Sequence, residues 1–270
     1  MIVYECNQGE REWYDLRAGV VTASMYREVR KVVDGLDERQ SRYVDELLDH
    51  GDEKLAREAA GYKAAPTSTR IQRAIRGEPV GDWTEAAKNY AFRLAVERIC
   101  GYALDEGGFE TYAMRRGKEL EPDARARHER EIDHAVVETG FVTTDCGRFG
   151  ASADGLVGLD GGAEYKCLIS PEPIRDIVLN RDISGFTDQV QGGLWITGRQ
   201  WWDFALYCPA LAGVGRDFER FRVHRDEDYI QSMAADLERF DALVEQYRSQ
   251  LEAKAAEKHT HTEAETADLF

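Results

Sequence analysis

Long apolar runs are missing from this chain of 270 residues. None approaches the roughly 20 residues that a bilayer span requires, so no membrane segment is expected. The start, MIVYECNQGERE, has no basic stretch leading into an apolar one, and no secretory leader is expected either. Cysteine is sparse and scattered: Cys6, Cys100, Cys146, Cys167 and Cys208 are odd in number and include no Cys-x-x-Cys pair. That pattern suggests neither a zinc ribbon nor an iron–sulfur cluster. It suits a reducing compartment, and a cytoplasmic setting is expected. Positive charge is short as well, with 35 Lys and Arg against 51 Asp and Glu and a net charge of −16. A protein that coats nucleic acid by charge alone is excluded. If the chain handles DNA, its basic groups must be gathered in one groove. No internal repeat is visible.

What is present is 43% hydrophobic, ample for a core of one large domain or two small ones. Residues 1–31 read as a lead-in and a helix that Thr22 or Ser24 could cap. Residues 36–60 have spaced apolar residues among many charges, as a helix does. Within 61–82, a loop with a proline precedes a short helix whose Arg70, Arg73 and Arg76 share a face. That face is either a solvated surface or a strip for phosphates. Residues 84–100 form an amphipathic helix, capped by Thr84, with Ala87, Tyr90, Ala91, Leu94, Ala95 and Ile99 as its stripe. A helix over 111–131 carries Pro122. Strands are expected at 135–143, 148–152, 155–159 and 163–168, helices at 171–181 and 186–197, strands at 200–207 and 218–224, and a long helix at 226–256. Trp195, Trp201 and Trp202 could stack on bases, but a packed helix and a core strand are the expected places for them. The fold class is α/β (α+β): a mixed central sheet flanked by helices, with a helical N-terminal third. The expected domain is 1–256, with a largely helical insertion at 32–112 and an acidic, disordered tail at 257–270.

The chemistry concentrates in Ser152-Ala153-Asp154-Gly155-Leu156 and, ten residues after the Asp, Glu164-Tyr165-Lys166. Glu164 and Lys166 are two apart, so on a strand their side chains leave one face, and Ala163, Tyr165 and Cys167 leave the other. Asp154 and Glu164 are hard oxygen ligands suited to Mg²⁺ or Mn²⁺. Lys166 beside them could orient water or stabilise charge developing at phosphorus. The same spacing also fits a hairpin with an ordinary Glu–Lys pair on its wet face. If the three groups meet, the antiparallel pairing of 154 with 164 needs an even register sum. An odd-length turn or a glycine bulge within 159–163 is then expected, with Gly161 and Gly162 able to take positive φ.

Further stretches line up in order. Residues 7–24, NQGEREWYDLRAGVVTAS, resemble the N-terminal motif of the lambda exonuclease family, phage recombination nucleases of the YqaJ type within the PD-(D/E)xK superfamily. Residues 114–124, MRRGKELEPDA, resemble its GK-x-x-E helix. GASADGL at 150–156 is similar to S-P-D-G-L, EYKC at 164–167 to E-x-K-C, and QVQGGLWITGRQWWDFALY at 189–207 to the Q-x-Q segment and the aromatic strand after it. Ala153 stands where the family usually has Pro, and the stretch 32–112 is much longer than in the lambda enzyme and has no recognised match.

The resemblance implies a restriction-endonuclease-like fold and a Mg²⁺-dependent 5′→3′ exonuclease acting on double-stranded DNA ends, with Mn²⁺ able to substitute. Its product would be 3′ overhangs for a single-strand annealing protein in recombination, in the cytoplasm of a bacterial host. A homotrimer is implied by the lambda enzyme. By the same resemblance Asp154, Glu164 and Glu121 hold the metal, together with the Tyr165 carbonyl. Lys166 is the catalytic lysine and Gln189 an active-site glutamine. Arg17, Ser24 and Ser152 hold the 5′-terminal phosphate, a task suited to a guanidinium fork and two hydroxyls. The rival readings are an endonuclease of the same fold and a non-catalytic DNA-binding subunit.

Overall fold

The computed structural model describes residues 1–104 and 111–267, with side chains as far as 255. The chain divides into two units, one of Met1–Arg30 with Asn89–Phe270 and one of Lys31–Lys88. In chain order the elements are β1 (Ile2–Tyr4), α1 (Arg11–Arg17), β2 (Val21–Thr22), a 3-10 turn (Ala23–Met25), α2 (Tyr26–Arg30), β3 (Val32–Val33), α3 (Glu38–His50), α4 (Glu53–Ala59), α5 (Thr69–Ile75), β4 (Asp82–Trp83) and α6 (Glu85–Cys100). There follow α7 (Tyr112–Ile132), β5 (Val136–Val137), β6 (Phe141–Thr143), β7 (Phe149–Ala151), β8 (Gly155–Val157), β9 (Gly161–Lys166), α8 (Pro171–Asn180), α9 (Thr187–Thr197), β10 (Trp201–Tyr207), β11 (Phe218–His224) and α10 (Glu227–Ala267).

The smaller unit is helical around Tyr43, Val44, Ala56, Ala60 and Ile71. Asp37 and Gln40 cap α3 reciprocally, and Gly51 in a left-handed turn ends it. The helix expected over 36–60 is therefore two. On α5 the three arginines meet acids: Arg70 meets Asp34, and Arg73 and Arg76 both meet Glu78. Those guanidiniums are neutralised in place, as a solvated face would have them.

In the larger unit the described strands form two sheets where one central sheet was expected. The first has the order β1-β6-β7-β2 and the second β11-β10-β9-β8-β5. Each is mixed, with β2 parallel to β7 and β9 parallel to β10. The chain passes from the first sheet to the second through Ser152, Ala153 and Asp154, between the end of β7 and the start of β8. β9 is interior, with both neighbours paired and nearly every residue buried. Ala163, Tyr165 and Cys167 pack with Ala124 of α7 and with Ala205 and Phe218 in one apolar cluster. α9 packs against strands of both sheets.

The three tryptophans serve this packing. Trp195 lies against Tyr26 and Phe149. The Trp202 ring fills the space that a Cβ would need at both Gly162 and Gly193. Within α9 that ring thus accounts for Gly193, and the Tyr26 ring does the same for Gly192. On α6, Tyr90, Ala91, Leu94 and Ala95 are buried and Tyr90 stacks on Phe240, but Ile99 is exposed and leaves the expected stripe. Thr84 caps α6 through the Ala87 amide. α10 runs to Ala267, through most of the segment expected to be disordered. Ala, Glu and Lys recur there, and these are strong helix formers. Residues 268–270 of that segment lie outside the described residues. No helix among the described residues is long and apolar enough to cross a membrane.

Candidate active site

The hairpin β8–β9 decides whether the carboxylates meet. Gly155 pairs with Ala163, Leu156 with Gly162 and Val157 with Gly161, so Asp154 stands opposite Glu164. The register sum is even, as the meeting requires. The turn is the three residues Gly158, Leu159 and Asp160, and Gly158 takes the positive φ of 54°. Gly161 and Gly162 do not. They are glycines because the rings of Trp201 and Trp202 lie where their side chains would be.

Glu164 is buried, and its Oε1 accepts from Lys166 Nζ at 2.7 Å and from Gln189 Nε2 at 2.6 Å. Asp154 Oδ2 accepts the Tyr165 main-chain N–H at 2.7 Å. Gln189 comes from the start of α9. That end is secured by Arg30, which donates to Asp188 at 2.5 Å and to Asp236 at 2.8 Å, while the Tyr229 hydroxyl donates to Asp188 at 2.8 Å. Glu121 comes from the middle of α7, where Arg125, one turn on, donates to its Oε1 at 2.8 Å. Arg125 also reaches Glu138 and, at 3.3 Å, the Asp154 carbonyl.

Electrostatics bind these groups into one site. Burial, and then the charges of Glu164 and Glu121, hold the Asp154 carboxyl well above the usual carboxylate range. Burial and Glu164 likewise raise Glu121, against the pull of Arg125. For Lys166 burial works toward the neutral amine, but Glu164 and Asp154 outweigh it and the ammonium is held more firmly than usual. The set is thus rich in negative charge and hard oxygen.

That donor chemistry fits a divalent cation. Asp154, Glu164 and Glu121 supply carboxylates whose mutual repulsion such an ion would relieve. Among the described residues no three His, Cys, Asp or Glu side chains already stand at metal-holding distances. The reason is local: Arg125 holds Glu121, Lys166 and Gln189 hold Glu164, and the Tyr165 amide holds Asp154.

A cavity of about 190 Å³ opens beside these carboxylates. Arg17, Ser24 and Ser152 line it, and so do Asp154, Glu164 and Gln189. Arg17 ends α1. The turn after it is pinned from α6, where buried Glu97 accepts the Gly19 N–H at 2.9 Å and Arg98 donates to the Gly19 carbonyl at 2.8 Å. Ser24 lies in the 3-10 turn, 3.3 Å from the Thr22 hydroxyl. Neither caps that turn with its side chain. Glu121 and Asp154 line an adjoining groove with Lys118 and Met114. Tyr165 contributes its backbone here, while its side chain enters the opposite apolar cluster.

Some neighbours were not among the expected site residues. Trp13 donates its indole N–H to Ser152 Oγ at 2.8 Å, and the Arg17 guanidinium lies 3.8 Å over its ring. Gln8 donates to the carbonyls of Ala153 at 2.8 Å and Thr139 at 3.0 Å, bracing the segment between the sheets. Trp13 and Arg17, and Glu121 and Arg125, are each four apart on a helix, a spacing that puts two side chains together. That signal was available in the sequence. For Gln8 there is none, because its partners lie far along the chain.

A YqaJ-like viral recombinase domain matches residues 12–200, a span that includes every residue expected in the site. The crystal structure of the alkaline exonuclease LHK-Exo from Laribacter hongkongensis superposes with a TM-score of 0.64 and 28% identity, over 92% of this chain and 99% of that one. The same enzyme in complex with dAMP gives the same values. No curated protein matches the chain. The family match spans well over half of the sequence, and the chain belongs to the YqaJ-like viral recombinase family.

Proposed function

We propose that this protein is a divalent-metal-dependent deoxyribonuclease that digests duplex DNA from 5′-phosphorylated ends. One observation carries the reading: a guanidinium and two hydroxyls share a cavity with two of the carboxylates, so a terminal phosphate and a scissile phosphodiester would be held side by side. The comparison enzyme has been crystallised with dAMP, a mononucleotide of the size that stepwise digestion would release.

In this reading Asp154, Glu164 and Glu121, with the Tyr165 carbonyl, hold Mg²⁺, and Mn²⁺ can replace it. The bound cation would polarise the phosphodiester and lower the pKa of water. Lys166, kept as an ammonium beside Glu164, orients the attacking water and meets charge that develops on the phosphoryl oxygens. Gln189 fixes the free rotation of Glu164. Arg17 forks onto the terminal phosphate, and Ser24 and Ser152 donate their hydroxyls. Displacement at phosphorus is then mostly a matter of positioning and charge. The acidic exterior keeps DNA from binding elsewhere, so substrate is drawn to this one cavity. The 5′→3′ direction, the supply of overhangs to a single-strand annealing protein, a homotrimer and a bacterial cytoplasm follow from the family resemblance.

The test is a gel assay with three substrates: linear duplex with 5′-phosphate, the same duplex with 5′-hydroxyl, and closed circular DNA. Mg²⁺-dependent shortening of the first, slower loss of the second and an intact circle are expected. Nicking of the circle would assign the site to an endonuclease. No cleavage of any substrate would leave a DNA-binding subunit.

A further inference from the structure

The buried face of β9 carries a polar chain that the proposed reaction does not use. His128 of α7 is fully buried. Its Nδ1 lies 2.9 Å from the Tyr165 hydroxyl and its Nε2 3.1 Å from Asp203 Oδ2. Asp203, on β10, is also fully buried. It accepts from Arg222 at 2.9 and 2.8 Å and from Arg220 at 3.2 Å. Arg220 in turn donates to Glu131 of α7 at 2.8 Å. One helix and three strands are tied together through these groups.

An ionised Asp203 can only accept, so His128 Nε2 carries a proton and donates it, while Nδ1 bonds the Tyr165 hydroxyl. His128 and Asp203 are fully buried and bonded at each of these atoms, and His128 lies against Phe218 of the apolar cluster that holds Tyr165. Burying such groups is costly unless all are satisfied. Apolar side chains of the same volume would commonly be as stable there or more so. Stability alone therefore does not account for them.

Their position does. Tyr165 is the residue between Glu164 and Lys166, and side chains alternate along a strand. Its N–H is the donor to Asp154. Whatever holds the far end of the Tyr165 side chain thus holds the backbone from which the Glu164–Lys166 pair projects and the amide that orients Asp154. We propose that His128 and Asp203 are positioning residues for the metal and catalytic groups, acting through the Tyr165 hydroxyl from the opposite face of the sheet. This inference rests on the nuclease reading above, and it adds residues that touch neither DNA nor metal.

The test uses the full chain and Tyr165→Phe, which removes only the hydroxyl. His128→Leu is the second variant, and Val136→Ala in the same cluster is the control for lost packing. Two readouts are taken: kcat and KM on 5′-phosphorylated duplex, and the Mn²⁺ concentration that gives half the metal-induced rise in Tm, measured without DNA. Outer partners of metal sites typically matter about 10–100-fold in affinity or activity. Tyr165→Phe is expected to lower kcat about tenfold with little change in KM, and to raise the Mn²⁺ half-point by a similar factor. Val136→Ala should lower Tm and move neither. If Tyr165→Phe folds with wild-type kcat and Mn²⁺ half-point, the proposal is overturned, even where His128→Leu fails to fold. An inactive wild-type protein would overturn the nuclease reading instead, and the Mn²⁺ half-point would still decide the role of the tyrosine.

Discussion

Trp13 donates to the Ser152 hydroxyl at 2.8 Å while its ring underlies the Arg17 guanidinium. One indole thereby orients two of the three groups proposed to meet the terminal phosphate. A serine oxygen that accepts an N–H turns its own proton elsewhere and leaves it free to donate. Trp13→Phe keeps a ring under Arg17 and releases Ser152. A neutral hydrogen bond is worth about 1 kcal/mol, so cleavage of 5′-phosphorylated duplex should fall about fivefold and that of 5′-hydroxyl duplex hardly at all. Equal losses on the two substrates would assign Trp13 to folding alone.

Arg17→Ala removes the charge itself. A charge-assisted contact contributes about 1.5–3 kcal/mol, so the preference for 5′-phosphate over 5′-hydroxyl ends should shrink by roughly tenfold or more. Paired rate measurements on the two duplexes report this ratio directly. An unchanged ratio would make Arg17 a general backbone contact and favour the endonuclease.

Asp154→Ala and Lys166→Ala should both abolish cleavage, by different routes. The first removes a ligand, so calorimetry should show weaker Mn²⁺ binding. The second removes an ammonium, which is no ligand, and deletes a positive charge 2.7 Å from Glu164. Mn²⁺ binding should be kept or strengthened. Equal loss of binding in both variants would contradict the division of roles.

The Asp154 carboxyl also has a stability signature. Its folded pKa is raised by burial and by Glu164 and Glu121. Above the unfolded value of about 3.9 the native state therefore holds a proton that the unfolded chain has lost, and stability declines as pH rises. Asp154→Asn should raise Tm at neutral pH in chelator and flatten that decline. A variant less stable than wild type under chelation would show that the charge is already compensated.

Asp203 has the opposite sign. Burial pushes its carboxyl up, but the bonds from Arg222 and His128 and the charges of Arg220 and Arg222 more than offset this and hold it at about 2. Its stabilising contribution is present above the unfolded pKa near 3.9 and is lost as pH falls toward 2. Between about pH 4 and 2, wild type should lose Tm more steeply than Asp203→Asn. Parallel acid profiles would remove Asp203 from the causes of acid unfolding.

Local patterns in the sequence carried much of this. The alternation around Glu164 and Lys166, the even register and the odd turn all follow from the two-residue period of a strand and the need for Asp154 to reach Glu164. What was read wrongly needed contacts between distant residues. Gly161 and Gly162 looked like turn glycines, but their cause is a pair of indoles some 40 residues on. The division into two sheets depends on β1 pairing with β6, which no nearby residue announces. α1 is a single short helix without a side-chain cap, so its start was not marked. His128 on a charged helix and Asp203 on an apolar strand give no sign of each other until the fold joins them.

Ser152 and Asp154 are the first and third residues of the passage from one sheet to the other. Two residues of backbone span at most ~7 Å, close to one sugar–phosphate unit of a DNA strand. Under the proposed reading, the group that grips the chain end and a group that serves the cut bond therefore ride on one short stretch of backbone. A shift of that stretch would carry both with it, so grip and cut would stay in step.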